Sequence, residues 1–394
     1  MATPSPVALD HHTNGTTHHP SIPHPAGWLT ADLVERASEC EHVAFVRDRA
    51  SGLRTIIAVY STALGPAVGG TRFRRYPDTA AALRDVLDLA RGMAYKAALA
   101  GLPFGGGKAV IIGDPATDKS PELLRRYGQA VQSLGGRYVT ACDVGTVAED
   151  MDIVATQCRF VVGRSSAHGG SGDSAVLTAY GVLQAMLAAA TDRWGSADLA
   201  GRRVSVEGVG KVGHRLVGHL AELGALVTVY DVDPAAVARV RAQWPQVRVA
   251  EDRDALVRAR SDVFAPCALG GSLTASTAAA LRAEVVCGAA NNQLAAPGVG
   301  ALLAERGILY TPDYVANAGG LIQVASELLG FDLAAARVRA AGIRDTALLV
   351  FRTAHERGAL PGVIADLMAE ERLARAGRPS ISEQCSPEVA VAAH

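Results

Sequence analysis

The chain carries almost no net charge, no cysteine pairing motif and no apolar run of membrane-spanning length, and each absence removes a class of function. A formal net charge of -1 over 394 residues leaves no electrostatic footprint for nucleic acid or an anionic membrane. Six cysteines, at 40, 142, 158, 267, 287 and 385, form no CxxC, which points to reduced thiols in the cytoplasm rather than a zinc site or a disulfide framework. Cys142 stands beside Asp143, yet no histidine is positioned by sequence to activate it, so a packed thiol is expected there. The opening MATPSPVALDHHTNGTTHHP lacks the apolar core and basic flank of a secretion signal. Its composition predicts a disordered tail over residues 1–25, with a second loose tail over 378–394. His11, His12, His18 and His19 could bind a metal ion, but no ordered scaffold surrounds them and no metal site is expected.

What is present is a 49% hydrophobic, 20% charged composition, enough to build an ample core in two or three domains. The most informative stretch is Gly92–Ile112, GMAYKAALAGLPFGGGKAVII. It sets Lys96 and Lys108 on either side of a glycine-rich turn in apolar surroundings. Lysine is seldom buried without a partner, and desolvation lowers its pKa, so a lysine held here can serve as a base. The glycines would let backbone approach a small ligand closely. The plain alternative is a strand after a tight turn, with both lysines snorkelling to solvent. The stretch is not a phosphate-binding P-loop: the required first glycine falls at Leu102, and Ala109 replaces the magnesium-binding hydroxyl.

Around this stretch the patterning is mixed α/β. HVAFVRD and RTIIAVYST read as strands. Asp78 and Thr79 offer an N-cap to a helix with apolar residues at Leu83, Val86, Leu87, Ala90 and Ala94, ending near Gly101 with Lys96 in its last turns. A helix and strand packed together could aim Lys96 and Lys108 into one cleft.

A second unit begins near Ser171. The helix around TAYGVLQAMLAAA leads to the strand RRVSVEG, then to Gly208-Val209-Gly210-Lys211-Val212-Gly213, a helix to Leu223 and the strand LVTVYD, with Asp231 placed 23 positions after Gly208. Strand, GxGxxG, helix, strand and a spaced acid together predict a dinucleotide site. The pyrophosphate would rest on the helix N-terminus, and Asp231 would accept from the adenosine ribose hydroxyls and repel a 2′-phosphate, which favours NAD over NADP. SDVFAPCA, EVVCGAA and GILYTPD continue as strands of a parallel sheet. The expected architecture is α/β with a cleft between two units, residues 26–170 and a Rossmann-type doubly wound NAD-binding domain over 171–335, followed by helices over 336–377.

LGPAVGGTRF (64–73), ARGMAYKAALAGLPFGGGKAVIIGDP (90–115), RYVTACDVGT (137–146), EDMDIV, APCALGG, GAANNQLA and YTPDYVANAGGLIQVASELLGF resemble the amino-acid dehydrogenases acting on leucine, valine and phenylalanine, in register from about residue 40 to 375. The resemblance implies reversible NAD-dependent oxidative deamination of an L-amino acid to a 2-oxo acid and ammonium by a homo-oligomer, with residues 26–170 as a substrate-binding and oligomerisation domain and the 336–377 helices packing back on it. Carried onto this chain, Lys96 resembles the lysine that binds the substrate carboxylate, with backbone amides at Gly69 and Gly70 alongside. Lys108 resembles the low-pKa lysine that activates water. Asp143 resembles the acid/base at the amino nitrogen. Asn291 and Asn292 would lie near the nicotinamide ribose or the substrate amine, where an ordinary polar turn is the alternative, and Thr178 would contact the nicotinamide amide.

The side-chain pocket would be walled by Val68, Met93, Ala141, Leu321 and Val324, all apolar, which favours a neutral, branched aliphatic substrate. Phenylalanine, or an unusual 2-oxo acid handled by reductive amination, is the alternative. One departure stands out. Relatives typically carry GDPSPVT where this chain reads GDSAVLT over 172–178. The missing prolines would loosen that segment, which leaves a non-catalytic NAD-binding homologue as a further reading.

Overall fold

The computed structural model describes residues 30–376. The two predicted tails, the four N-terminal histidines and Cys385 lie outside them. The chain builds two sheets. The first contains β1 (His42–Arg47), β2 (Arg54–Ser61), β3 (Ala67–Arg74), β4 (Gly105–Ile112) and β5 (Tyr138–Cys142) in the order β1-β2-β4-β3-β5. β1, β2 and β4 pair antiparallel, whereas β4, β3 and β5 run parallel. Helices α1 (Ala31–Ser38), α2 (Thr79–Leu99), α3 (Pro121–Gln132) and α4 (Ala148–Ala155) accompany it.

Helix α2 starts where expected, with the Asp78 carboxylate accepting the Ala81 N–H at 2.7 Å. Its buried face runs through Leu83, Val86, Leu87, Ala90, Ala94, Ala97 and Ala98, the helical spacing read from sequence. One expectation is corrected here. Gly105–Gly107 are not a turn; they are the first residues of β4. A Cβ on Gly106 would come within 1.9 Å of Ala94 N, one on Gly105 within 1.9 Å of Ser61 O, and one on Gly107 within 2.9 Å of the Tyr138 ring. These glycines let helix and strand backbones approach each other, not a ligand. The close approach of α2 to β4 sets Lys96 beside the strand that carries Lys108.

The second sheet is wholly parallel. β6 (Arg203–Glu207), β7 (Leu226–Tyr230), β8 (Arg248–Val249), β9 (Val263–Pro266), β10 (Val285–Val286) and β11 (Leu309–Tyr310) lie in the order β11-β10-β9-β6-β7-β8. This is the strand order of a doubly wound dinucleotide fold, reversing beside β6. Helices α5 (Ala175–Trp194), α6 (Lys211–Glu222), α7 (Pro234–Gln243), α8 (Arg253–Arg258), α9 (Ala275–Ala280) and α10 (Val299–Glu305) belong to this part of the chain. Contrary to the reading that no apolar run reaches spanning length, α5 has the length and apolarity to cross a membrane. It is a core helix, mostly buried against α6, α12 (Gly319–Ser326) and α14 (Ile343–Arg357).

Between β11 and α12 lies the short helix α11 (Asp313–Ala316), and α13 (Leu333–Ala341) and α15 (Pro361–Ala376) complete the chain. The last helices pack on both units. α13 and α14 lie against α5, while at the end of α2 Arg339 donates to Gly101 O at 2.9 Å and Thr346 Oγ1 to Leu99 O at 3.5 Å. α15 reaches α2, where Ala369 and Leu373 join Ala94, Tyr95 and Ala98 in one apolar cluster. The long apolar surface of α5 holds the others.

The segment lacking the two prolines keeps a defined backbone. Ser174 has φ -61°, the value a proline ring imposes, and the Val176 N–H donates to Asp173 O at 3.1 Å, a bond that proline would forfeit. Replacing Gly106 with Ala will force α2 off β4 and lower stability by about 1–3 kcal/mol, measured by urea unfolding; an unchanged midpoint would show that the close contact is dispensable.

Candidate active site

The site forms over the middle of β3 and β4 and just beyond the carboxyl end of β5, where Asn291 of the second unit meets Lys96. Lys108, central in β4, is buried, and its Nζ lies 2.6 Å from Asp143 Oδ2 just beyond β5. A second cation, which sequence reading missed, shares that carboxylate: Arg72 Nε is 3.6 Å from the same oxygen. Arg72 is aimed by Asp85, whose two oxygens each lie 3.0 Å from its Nη1. Burial pushes Asp143 up, but Lys108 and Arg72 together outweigh it and hold the carboxyl at about 2.

Gly70 explains why the pair fits. A Cβ there would sit 2.9 Å from Asp143 Cβ and 3.3 Å from Lys108 Nζ, so the missing side chain is the space above the pair. Gly69 meets β4 instead, its would-be Cβ 1.8 Å from Gly107 O, and its carbonyl accepts from Tyr138 Oη at 2.7 Å.

Lys96 is also buried. Desolvation brings its ammonium down to about 8, against the attraction of Asp313, with repulsion from Lys108 adding to the fall. Its Nζ donates to Asn291 Oδ1 at 3.0 Å. Asn317 Nδ2 donates to that same oxygen at 2.8 Å. Two donors converging on Oδ1 fix the amide and leave Asn291 Nδ2 to donate elsewhere. Asn317 Oδ1 is buried with no hydrogen-bond partner. Asp313 is buried too and held up chiefly by desolvation. Asp313 and Asn317 lie inside the motif YTPDYVANAGG, and the signal for them was that two polar residues punctuate an apolar run.

Of the residues expected to wall the side-chain pocket, Val68, Ala141 and Leu321 are buried members of the large apolar cluster that runs through both sheets, and Met93 and Val324 pack against that cluster. Asn292 does not join Asn291: it adopts φ 51° and turns the chain. Cys142 is no nucleophile, since burial and the neighbouring Asp143 push its thiol up.

The dinucleotide turn also has the expected form. Gly208 adopts φ +92°. A Cβ on Gly213 would lie 2.0 Å from Gly208 O, so the helix start seats directly against the turn, whereas the space above Gly210 is open to 4 Å. No side chain caps the N-terminus of α6, which leaves its amides for an anion. Lys211 is exposed and Val212 half-buried at this helix start. Asp231 accepts from the Val209 N–H at 2.7 Å and from the Asp233 N–H at 2.9 Å, so it also braces the turn. Thr178 donates to Ser174 O at 2.9 Å, in the first turns of α5, and sits against Gly320.

Residues 38–160 match the family described as Glu/Leu/Phe/Val dehydrogenase, dimerisation domain, and residues 169–334 match Glutamate/Leucine/Phenylalanine/Valine dehydrogenase. The chain belongs to this family. It is an amino-acid dehydrogenase. Valine dehydrogenase of Streptomyces albus is 58% identical over 337 residues, 85% of this chain and 93% of the relative. Leucine dehydrogenase of Geobacillus stearothermophilus is 46% identical, over 84% and 90% of the two chains. The crystal structure of L-tryptophan dehydrogenase from Nostoc punctiforme superposes with a TM-score of 0.75 at 39% identity, covering 88% of this chain and 99% of that one.

An ammonium attracts a carboxylate and a neutral amine does not. The affinity of this dehydrogenase for an unreactive carboxylate such as 3-methylbutanoate will therefore fall as pH rises through about 8, by up to about tenfold per pH unit, and Lys96→Arg will flatten the fall. Titration calorimetry across pH measures this; affinity that stays level to about pH 9.5 would remove Lys96 from carboxylate binding.

Proposed function

We propose that the enzyme catalyses NAD-dependent, reversible oxidative deamination of a branched-chain L-amino acid to its 2-oxo acid and ammonium, as a homo-oligomer in the cytoplasm. The observation that carries this reading is the buried Lys108–Asp143 pair beneath Gly70, facing an apolar wall that offers no charge to a second carboxylate. The 58% identity with a valine dehydrogenase supports the branched aliphatic side chain over glutamate and over phenylalanine.

The turn at Gly208–Gly213, the uncapped start of α6 and Asp231 fit NAD, which when bound supplies the hydride acceptor. Thr178 and Asn291 would hold the reactive end of that cofactor. Lys96 holds the substrate carboxylate as an ammonium, helped by backbone at Gly69 and Gly70. Asp143, ionised in place, accepts the proton from the substrate amino group. Once the Cα–N bond has been oxidised to C=N, Lys108, having first released its own proton to solvent, takes a proton from water, whose hydroxide adds to the carbon. Asp143 then returns its proton to the nitrogen, the C–N bond breaks as the carbonyl forms, and the hydroxyl proton leaves on the departing nitrogen as ammonium. Val68, Met93, Ala141, Leu321 and Val324 exclude water around the side chain.

NADH absorbance at alkaline pH with valine, leucine, isoleucine, phenylalanine and glutamate tests this. Branched-chain substrates are expected to exceed phenylalanine and to leave glutamate at background, since differences of a few methylenes are worth about 1–3 kcal/mol each. No NADH from any branched-chain substrate would overturn the proposal.

A further inference from the structure

The linker that carries the chain from the first sheet to the second is gathered onto one carboxylate. Glu327, at the C-terminus of α12, accepts the Gly163 N–H at 2.8 Å with Oε2 and the Ser171 N–H at 2.7 Å with Oε1. These two amides mark the two ends of the loop 163–171. One turn earlier on the same helix, Gln323 Nε2 donates to Ser171 O at 2.9 Å, while its Oε1 accepts from Leu177 N at 3.4 Å.

Each anchored end leads into the site. Val162, just before Gly163, donates its N–H to Thr140 O at 2.9 Å, and the Thr140 N–H donates to Phe160 O at 3.0 Å; Thr140 lies in β5, the strand that delivers Asp143. Gly163 itself lies over Ala141 and Cys142: a Cβ on it would come within 3.7 Å of both side chains. Beyond Leu177 lies Thr178, whose hydroxyl would be 2.5 Å from a Cβ on Gly320. The helix that makes these bonds also carries Leu321 and Val324. An exposed loop has no need of a charged acceptor at both ends, and charge-assisted bonds to backbone amides are among the strong ones.

We infer that Glu327 is a positioning residue for the deamination reaction: its carboxylate locks the interdomain linker to α12, so that the Asp143 strand and the pocket wall at Leu321 and Val324 keep one relative placement. Glu327 touches neither substrate nor cofactor. The inference rests on the site assigned above.

The test compares wild type, Glu327→Gln and Glu327→Ala as full-length enzyme, reading kcat and KM for valine, the valine-to-alanine selectivity, NAD affinity and the melting temperature. Glu327→Ala is expected to lower kcat/KM for valine by about 10–100-fold and to erode selectivity, with NAD affinity within twofold. Glu327→Gln, which keeps one acceptor, is expected to fall between the two. Wild-type kcat/KM and selectivity in Glu327→Ala would overturn the inference, as would a loss that follows only the melting temperature and NAD affinity. Inactivity of the wild type with every branched-chain amino acid would instead overturn the substrate assignment.

Discussion

The constraint on which the site depends is the burial of Lys108 against Asp143. Two opposite charges removed from water cost several kcal/mol each, and removing one partner of such a pair costs about 3–5 kcal/mol. The surroundings show how this pair is kept. Its oxygen is shared with Arg72, which Asp85 orients, and Gly70 leaves the space above it clear. The parallel order β4-β3-β5 brings the glycine, the lysine and the carboxylate to adjacent strands. Topology thus supplies proximity, and charge supplies the protonation state.

Much of the site is made by side chains that are missing. Gly106 lets α2 lie on β4, and with it comes Lys96; Gly213 lets α6 start against the nucleotide turn; Gly319 and Gly320 let α12 close on the start of α5. Across the cleft, the bond from Lys96 to Asn291, itself held by Asn317, ties the first sheet to the loop after β10. Lys96 is therefore placed by both halves of the molecule, and its ammonium is the group most exposed to changes in burial.

Legibility in the sequence followed the kind of signal. The strands of the second sheet other than the two-residue β8, and the 208–231 fingerprint, were readable because periodicity, glycine spacing and a spaced acid agree at one place. α2 was readable from its N-cap and apolar face. β3 and β5 were not, since Gly69-Gly70 interrupts the first, and the second is five residues with no alternation. The GGG before Lys108 read as a turn because glycine in a strand is ordinarily unfavourable; the backbones of α2 and β2 and the Tyr138 ring packed against it explain its presence. Lys96, Lys108 and Asp143 were assigned from motifs, whereas Arg72, Asp85, Asn317 and Glu327 act through partners 13 to 164 residues away, which no local pattern can report.

The most direct test of the Lys108–Asp143 unit is a double-mutant cycle on kcat/KM with Lys108→Ala, Asp143→Asn and the combined variant. Groups that act as one unit are strongly non-additive. Each single change is expected to cost about 10³-fold or more, with the double variant no worse than the poorer single and NAD binding retained in all three. Losses that simply multiply in the double variant would contradict the pair acting as one unit.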